Sequence, residues 1–383
     1  MFQRKQTYEL VPGDILLHPL YRPDGLLFVQ KHKKLSESVI QHIKKHYPHY
    51  FPFLVVSSEP QLNEFMLAGE HSSRAFVEAM KQLIDVHKQF IQVPITAAMY
   101  DIEIEEETDV QPIFLSELNI FAPTWGLIEN TLDSTRLLRR AKGIDERLNL
   151  IISKDKEILN LYEKIKRYHD VLAIHSINTT SIALMIGLTL ELRDEDLINL
   201  CLATLFADIG FIEVPKEQFV AYLNSEKANK ELLQLHLKRS IELISTSTYC
   251  RQKEIIYGIL DHHEHFDGVH SPNKKSGEAI HLYGRIIAIA QYYDELVGGY
   301  IGEKSYTSFE ALEAVWNERG KKLDPHILRI FLDKTTLYKV GQLIQIRPYE
   351  WATIIGFTDY IHTPLRPIVQ KHDGTAIDLS RKR

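Results

Sequence analysis

Hydrophobic positions are most regular between residues 136 and 335, where apolar side chains recur at three- and four-residue spacing. The stretch 136–172 predicts one or two long amphipathic helices. The next two segments, "TTSIALMIGLTLEL" and "EDLINLCLATLFADIG", are apolar on most faces, which is typical of buried helices. Further helices are predicted at 229–247, 252–262 and 280–297, and two shorter ones follow. The pattern therefore predicts an all-α domain over residues 136–335.

The two ends of the chain carry shorter, strand-like apolar runs. In residues 1–56, "DILLHPLYRPDGLLFVQ" has two such runs around "RPDG", a turn in which proline presets one backbone dihedral and glycine supplies a positive one. A helix with Ser36 as its N-cap follows and stops before Pro48. Residues 337–383 contain β-rich runs around "RPYE" and "HDG". We predict a small N-terminal α+β module and a small C-terminal β module.

Residues 57–135 are predicted to be partly helical and are otherwise unassigned. "RAFVEAMKQLIDVHKQFI" has helical spacing, whereas "DIEIEEETD" is an acidic run of the kind that usually forms a solvated linker rather than a metal site. The segment could also bind a signal or a partner.

Composition narrows the class of protein. The chain has 383 residues, 44% of them hydrophobic and 25% charged, which indicates a soluble protein of two or three domains. Its net charge of -6 argues against a general nucleic-acid binder, although a local basic pocket for a small anion stays open. Cys201 and Cys250 make no disulfide framework. With no signal peptide and no run of about 18 apolar residues, we expect no membrane span and a cytoplasmic location.

One carboxylate, Asp208, lies among apolar residues in "LFADIGFIEVP" at the end of a predicted helix. Burying such a charge is costly unless it is paired or holds a metal ion. Histidines lie at comparable positions on other predicted helices, at residues 175, 236, 262 and 263. Facing helices build metal sites in this way, and imidazole with carboxylate suits iron, manganese or zinc. The alternative is a set of hydrogen-bonded core histidines, and spacing alone leaves both interpretations open.

Several separated motifs resemble the HD-GYP family. "HHEHFDGVHSPNKKSGEAIHLYGRIIAIAQYYDEL" resembles the family's signature, "LFADIGFIEVP" resembles its His-Asp motif, and "GKKLDPHILRIFL" resembles the segment that closes its domain. The N- and C-terminal modules resemble extensions found in part of the family. The resemblance implies a mainly α protein: an HD-type helical bundle domain over 136–335, flanked by a small N-terminal α+β module (1–56) and a small C-terminal β module (337–383).

Members of this family are metal-dependent phosphodiesterases that open cyclic di-GMP, using bound ions to activate a water molecule. Carried over residue by residue, the resemblance assigns metal ligation to His175, Asp208, His236, His262 and His263. It also implies substrate binding by four residues in or after the loop that follows the paired histidines, namely Asp267, Lys274, Lys275 and Arg285. For the three cations among these four residues, the alternative is a solvated loop or ordinary salt bridges.

Other positions of the family pattern have changed. Val171, Ala207 and Gln291 stand where the family has a glutamate, a histidine and an aspartate ligand, and Phe211 replaces a phosphate-binding lysine. His270 and Ser271 stand where the motif has Gly and Tyr. These changes argue against a full two- or three-metal site, and we expect one divalent ion. His265 or His270 is a candidate substitute ligand.

Two hypotheses of different classes follow. In the first, the chain is a degenerate signalling protein with weak or no hydrolysis, which binds cyclic di-GMP, a related nucleotide or a protein partner. In the second, it is a phosphodiesterase with a reduced metal site, and Asp208 and the histidines hold the ion and its water. Protein partners are expected in either case. The long helices at 136–172 could support a homodimer or could simply pack against the HD-type domain.

Overall fold

The structure is a computed structural model. It describes residues 2–22, 24–90, 100, 120–121, 124–132, 134–223, 230–269, 273–298, 306–335, 340–341, 343–347, 350–359, 363 and 366–381.

The described elements are mainly helical, as the hydrophobic pattern predicts. The helices are α1 (Glu37–His46), α2 (Glu59–Leu67), α3 (Arg74–Phe90), α4 (Trp125–Thr131), α5 (Thr135–Lys154), α6 (Lys156–Tyr168), α7 (Asp170–Thr189), α8 (Asp194–Leu205), α9 (Lys216–Leu223), α10 (Lys230–Ile244), α11 (Lys253–Asp261), α12 (Leu282–Gly298), α13 (Ser308–Asn317) and α14 (Pro325–Thr335). The strands are β1 (Gln3–Gln6), β2 (Ile15–Leu16), β3 (Leu20–Tyr21), β4 (Leu27–Val29), β5 (Pro52–Val56), β6 (Leu343–Arg347), β7 (Glu350–Phe357), β8 (Pro367–Lys371) and β9 (Ala376–Asp378).

The N-terminal module combines two small sheets with one helix. Strand β5 is the centre of an antiparallel sheet in the order β1-β5-β2, and β3 pairs with β4 as a hairpin. Ser36 caps α1 by accepting a hydrogen bond from the Val39 amide at 3.3 Å. In the hairpin turn, Gly25 has a φ of +84°, the left-handed conformation that glycine adopts without strain. The predicted α+β character is confirmed.

Helices α2 and α3 pack beside this module. Phe2 contacts the rings of Phe65 and Phe76 edge-on, with centroids 6.4 and 5.3 Å apart. Both of these helical phenylalanines belong to the main hydrophobic core. This packing favours extending the N-terminal module to Phe90, although the division of the chain into domains stays a prediction. The acidic run at 101–109 lies outside the described residues.

The helical part is organised around α7, which is apolar and buried along most of its length. It packs against α8 and α12, and α11 packs against the same two helices. Of the one or two long helices predicted before it, the structure contains two, because Asp155 ends α5 and caps α6 by accepting from the Glu157 and Ile158 amides. His175 lies in the second turn of α7 rather than at its start.

Helix α7 also bears on the membrane expectation. Over Val171–Thr189 it is long and apolar enough to span a membrane by length and composition, and the expectation of no membrane span stays a prediction. Serine, threonine and asparagine interrupt the run without making it polar overall. However, 94% of the segment is buried inside the fold, which is how the core helix of a folded domain behaves.

The C-terminal module is an antiparallel sheet of β6, β7, β8 and β9 in sequence order. Ala352, Ile354 and Val369 point from neighbouring strands into the main core and are buried. The predicted β character of this segment is confirmed.

Candidate metal centre

Asp208 lies in a turn just after α8 rather than in the helix itself. Helix α8 ends at Leu205, and Asp208 precedes a short 3-10 turn over Ile209–Glu213. At Gly210 this turn touches α10 so closely that a Cβ atom would lie 2.0 Å from the carbonyl oxygen of His236. The Gly210 amide donates to Ser240 Oγ at 2.9 Å, and that hydroxyl donates to the Ala207 carbonyl at 2.9 Å. The contact with α10 brings Asp208 beside His236.

Four side chains from three parts of the fold converge here: Asp208, His236, His262 and His263. One ligand atom from each lies within 4.8 Å of the others. Asp208 Oδ1 faces His236 Nε2 at 3.4 Å and His262 Nε2 at 3.6 Å. We call these four residues the His–Asp cluster.

The second oxygen of Asp208 has different neighbours. Gln291 Nε2 on α12 donates to Asp208 Oδ2 at 2.5 Å, and His175 Nε2 on α7 lies 3.8 Å from the same oxygen. Gln291 therefore holds the carboxylate through its amide group. Its position is one at which the family resemblance expects an aspartate ligand.

Burial and neighbouring charges set the ionisation of these groups. Burial alone would raise the pKa of Asp208, but its close polar contacts with His236 and His262 lower it well below its usual value. Burial lowers the pKa of His236, and burial with the neighbouring histidines lowers that of His263 well below 6.5. At neutral pH the cluster therefore combines an ionised carboxylate at Asp208 with neutral imidazoles at His236 and His263.

His175 behaves differently. Burial opposes its charge, but the hydrogen bond and charge of Asp294 and the charge of Asp208 prevail and raise its pKa to about 9. Its Nδ1 donates to Asp294 Oδ2 at 2.7 Å. A cation that binds His175 Nε2 must displace a proton from it.

The donor set fits a divalent metal ion. His236 Nε2, His262 Nε2 and His263 Nε2 are buried and make no hydrogen bond within the described part of the chain. His262 Nδ1 donates to the Ile259 carbonyl at 2.6 Å, which leaves its Nε2 lone pair facing Asp208. Three imidazole nitrogens and one carboxylate oxygen are the ligands that zinc, iron and manganese take in proteins.

A cavity of about 30 Å³ adjoins the cluster, room for one or two water-sized ligands. Its described lining is Val171, Leu172, His175, Asp208, Phe211, Phe219, Tyr222, Leu223, His263 and Glu295. This lining includes two histidines and two carboxylates, His175, His263, Asp208 and Glu295. Its other members are apolar or aromatic, and this described lining contains no lysine or arginine.

Phe211 contacts both the His–Asp cluster and the other aromatic residues of the lining. Its ring stacks on His236 with centroids 4.4 Å apart and planes 2° from parallel, and on Tyr222 at 5.3 Å. Phe219 packs against it at 5.1 Å. We call Phe211, Phe219 and Tyr222 the aromatic wall. Phe211 covers one face of the His236 imidazole at the position where the family resemblance expects a lysine.

Comparison with known proteins assigns the helical part of the chain. A family model described as HD domain matches residues 147–327. This part of the chain therefore matches an HD domain, in agreement with the motifs that resemble the HD-GYP family. Among curated relatives, the cyclic di-GMP phosphodiesterase PdeB of Borreliella burgdorferi is 24% identical over 49% of this chain and 48% of that protein. The cyclic di-GMP phosphodiesterase response regulator RpfG of Xanthomonas campestris is 26% identical over 58% of this chain and 60% of its own.

Solved structures give matches of lower quality. A cyclic GMP-AMP specific phosphodiesterase of Vibrio cholerae is 22% identical over 45% of this chain and 46% of that chain, with a TM-score of 0.35. An HDG"Y"P protein of Bdellovibrio bacteriovorus is 12% identical over 87% and 99%, with a TM-score of 0.38. The present chain spans about half the length of the curated relatives it matches.

The residues predicted to bind substrate lie outside the lining of the HD-domain cavity. Lys275 Nζ pairs with Asp261 at 2.7 Å, and Arg285 Nη1 pairs with Asp324 at 2.7 Å. Lys274 is exposed on the loop with a φ of +59°. Asp267 Oδ1 accepts from the Val269 amide at 2.9 Å, so it shapes the loop. Their role in substrate binding stays a prediction.

Of the two candidate substitute ligands, His270 lies outside the described residues. His265 is described and half-buried, but it is not among the residues that line the cavity. Glu264, which the sequence analysis does not single out, is buried and accepts from the Asn273 and Lys275 amides at 2.7 and 3.0 Å. It therefore holds the loop that follows the paired histidines.

Three other features of the site escape the sequence analysis. Asp294 is fully buried and accepts from His175, and it is a carboxylate in an apolar helix, the signal that singles out Asp208. Glu295 lines the cavity and burial raises its pKa. The aromatic partner Tyr222 carries no signal in the sequence, because only the folded position of α9 places it beside Phe211.

Proposed function

We propose that this chain is a degenerate HD-GYP signalling protein that binds one divalent ion and a cyclic dinucleotide with weak or no hydrolysis. The observation that carries the proposal is the contrast within one pocket. The His–Asp cluster has the donors for an ion, whereas the aromatic wall replaces a phosphate-binding cation with the uncharged ring of Phe211.

Asp208, His236, His262 and His263 would hold the ion, and His175 is the nearest further donor. A bound divalent ion can lower the pKa of a water molecule and polarise a phosphate oxygen. The residues of the cluster contribute orientation and charge. Gln291 fixes one oxygen of Asp208, the Ile259 carbonyl fixes the tautomer of His262, and the aromatic wall keeps water from one face of His236.

Efficient phosphodiester hydrolysis needs more than this cluster offers. In two-metal sites a second ion stabilises the leaving oxygen, and cationic side chains stabilise the charge that develops on the phosphate. Ala207 and Val171 offer no ligand atom for a second ion, and the amide of Gln291 is engaged with Asp208. Phe211 supplies no charge, so transition-state stabilisation is expected to be weak.

The ligand class follows from the relatives and from the pocket. PdeB and RpfG are named as cyclic di-GMP phosphodiesterases, and a further relative from Vibrio cholerae is named as a 3'3'-cGAMP-specific phosphodiesterase. An ion held by the His–Asp cluster would polarise a phosphate oxygen of such a ligand. We therefore propose cyclic di-GMP or a related cyclic dinucleotide as the ligand.

A second candidate function is a phosphodiesterase with a reduced metal site. The intact His–Asp cluster favours it, because one ion and its water could attack a phosphate. The substrate would be cyclic di-GMP or another phosphoester.

One experiment separates the two candidates. The purified chain is loaded with Mn²⁺ or Fe²⁺, and cyclic di-GMP is followed by chromatography for linear product and by calorimetry for binding. The proposal expects binding without appreciable product. Robust turnover that disappears in Asp208→Asn but persists in Asp14→Asn would overturn it in favour of the hydrolase. Asp14 is a matched control, because it is a buried aspartate of the N-terminal module that pairs with Lys5.

The remaining parts of the proposal concern location and partners. A signalling role of this kind fits a cytoplasmic protein that acts through a protein partner, with a homodimer as one arrangement. Light scattering of the purified chain measures the oligomeric state, and a monomer at all accessible concentrations would exclude the homodimer.

A further inference from the structure

The turn "RPDG" of the N-terminal module lies directly behind the candidate metal centre. Arg22 and Gly25 belong to this turn between β3 and β4, where the Arg22 amide donates to the Leu26 carbonyl at 2.8 Å and the Gly25 amide donates to the Arg22 carbonyl at 2.9 Å. The tight turn fixes the backbone from which the Arg22 side chain extends. That side chain is only 3% exposed.

Arg22 reaches the site through Asp294. Its Nη2 donates to Asp294 Oδ1 at 2.9 Å, and the other oxygen, Oδ2, accepts from His175 Nδ1 at 2.7 Å. His175 Nε2 is thereby left facing Asp208 Oδ2 at 3.8 Å. Arg22, Asp294 and His175 thus form a hydrogen-bonded series that ends at the His–Asp cluster. A carboxylate bonded to one ring nitrogen of a histidine fixes which way the other nitrogen points.

Other hydrogen bonds dock the turn in this place. Asn178, three residues after His175 on α7, donates from Nδ2 to Asp294 Oδ1 at 2.9 Å and to the Leu27 carbonyl at 3.0 Å, and its Oδ1 accepts from the Leu27 amide at 3.2 Å. Tyr293 donates its hydroxyl to Asp24 Oδ2 at 3.0 Å. The turn is therefore held against both α7 and α12.

We propose that Arg22 is a positioning residue for the metal centre. It holds Asp294 in the orientation that keeps His175 Nε2 directed at Asp208 and at the ion bound there. This rests on the proposed function only in that an ion binds at the His–Asp cluster. Groups that orient a metal-ligating histidine typically contribute 10- to 100-fold to metal affinity, so loss of Arg22 should weaken binding by about that factor.

The contacts of the Arg22 guanidinium explain why arginine is suited to this position. Its Nε also pairs with Asp24 at 3.3 Å, so one planar group bridges a carboxylate of the turn and a carboxylate of α12. A lysine has a single ammonium and cannot present two fixed N–H directions in this way. The N-terminal module is thus a structural part of the metal centre.

The test uses the full chain with Arg22→Met, Arg22→Lys and the control Lys5→Met. Lys5 pairs with the buried Asp14 at 2.7 Å within the N-terminal module and does not contact the site, so Lys5→Met breaks a comparable ion pair elsewhere. Mn²⁺ affinity is measured by calorimetry, and the His175 Nδ1–H proton is followed by NMR in metal-free protein, assigned by its loss in His175→Gln. Circular dichroism reports whether each variant is folded.

Arg22→Met is expected to weaken Mn²⁺ binding by about 10- to 100-fold and to shift the Nδ1–H resonance. Arg22→Lys should fall between it and the parent chain, and Lys5→Met should change neither signal. If Arg22→Met does not fold, Arg22→Lys alone decides. Unchanged affinity and resonance in the Arg22 variants would overturn the proposal, as would an equal loss in Lys5→Met. If the parent chain binds no Mn²⁺, the proposed function fails and the resonance alone decides the role of Arg22.

Discussion

The His–Asp cluster and the aromatic wall are neighbouring groups of residues at one pocket, and they differ in chemistry: the first carries metal-ligand atoms and the second carries uncharged rings. The cluster has a carboxylate and three imidazoles, and hydrogen bonds from Gln291 to Asp208 and from His262 to the Ile259 carbonyl hold two of these groups in place. The wall offers stacked rings, with Phe211 against His236 and Tyr222. The difference teaches that binding of an ion and stabilisation of a phosphate depend on separate residues, so one can persist where the other is lost.

The largest expected effect is on the cluster side. Asp208→Asn removes the one charge of the cluster, and His236→Ala removes an imidazole. Since each is a direct ligand in our account, Mn²⁺ affinity should fall by about 100-fold or more in either variant. Calorimetric titration measures this, with Asp14→Asn as the control. Unaltered Mn²⁺ affinity in Asp208→Asn would place the ion elsewhere.

The next effect is a pH dependence of stability in metal-free protein. The pKa of His175 is about 9 in the folded chain against an ordinary 6.5, so the fold binds its proton more tightly than the unfolded chain does. This stabilisation is fully present below about pH 6.5 and is lost as pH rises through about 9, a change of about 3 kcal/mol at most.

Urea unfolding at pH values from 6 to 10 measures this change, with a chelator present throughout. His175→Gln should flatten the decline, because glutamine does not titrate. A decline of equal size in His175→Gln would show that another group causes it.

A smaller effect is expected at Gln291, which donates to Asp208. Gln291→Asp places a second carboxylate near Asp208, which should destabilise the metal-free fold by about 1–3 kcal/mol and strengthen Mn²⁺ binding by about tenfold. Gln291→Leu is the matched control, since it loses the hydrogen bond without adding charge. If both variants bind Mn²⁺ equally, the added carboxylate does not reach the ion.

The smallest effect belongs to the aromatic wall. Phe211→Leu keeps an apolar side chain but removes the stacking on His236 and Tyr222, so stability should fall by about 1 kcal/mol. Mn²⁺ affinity should stay within about twofold, because Phe211 donates no ligand atom. A tenfold change in affinity, by contrast, would mean that the wall also positions the cluster.

Much of the fold follows from local patterns in the sequence. The buried helices, the Ser36 cap and the "RPDG" turn depend on spacing and turn chemistry, and the structure contains all three. The histidines of the cluster could also be singled out, because each lies at a helix end or beside an apolar run. Asp294 carried the same signal as Asp208 and could have been found by the same argument.

Contacts between distant parts of the chain had no such signal. Arg22 and Asp294 are 272 residues apart, and nothing in either local pattern links them. Likewise, the pairing of Lys275 with Asp261 and of Arg285 with Asp324 depends on how the loop and helices pack. A cation in the sequence can therefore be assigned to a ligand or to an ion pair only once its neighbours are known.

The most direct test of the account is the number of ions bound per chain together with turnover. Protein reloaded with excess Mn²⁺ and freed of unbound ion is assayed by elemental analysis and then for release of linear dinucleotide from cyclic di-GMP. We predict one ion per chain, lost in Asp208→Asn, and no appreciable product. Two ions per chain with robust turnover would contradict the account, because they would require ligands and a phosphate-binding group that the aromatic wall does not supply.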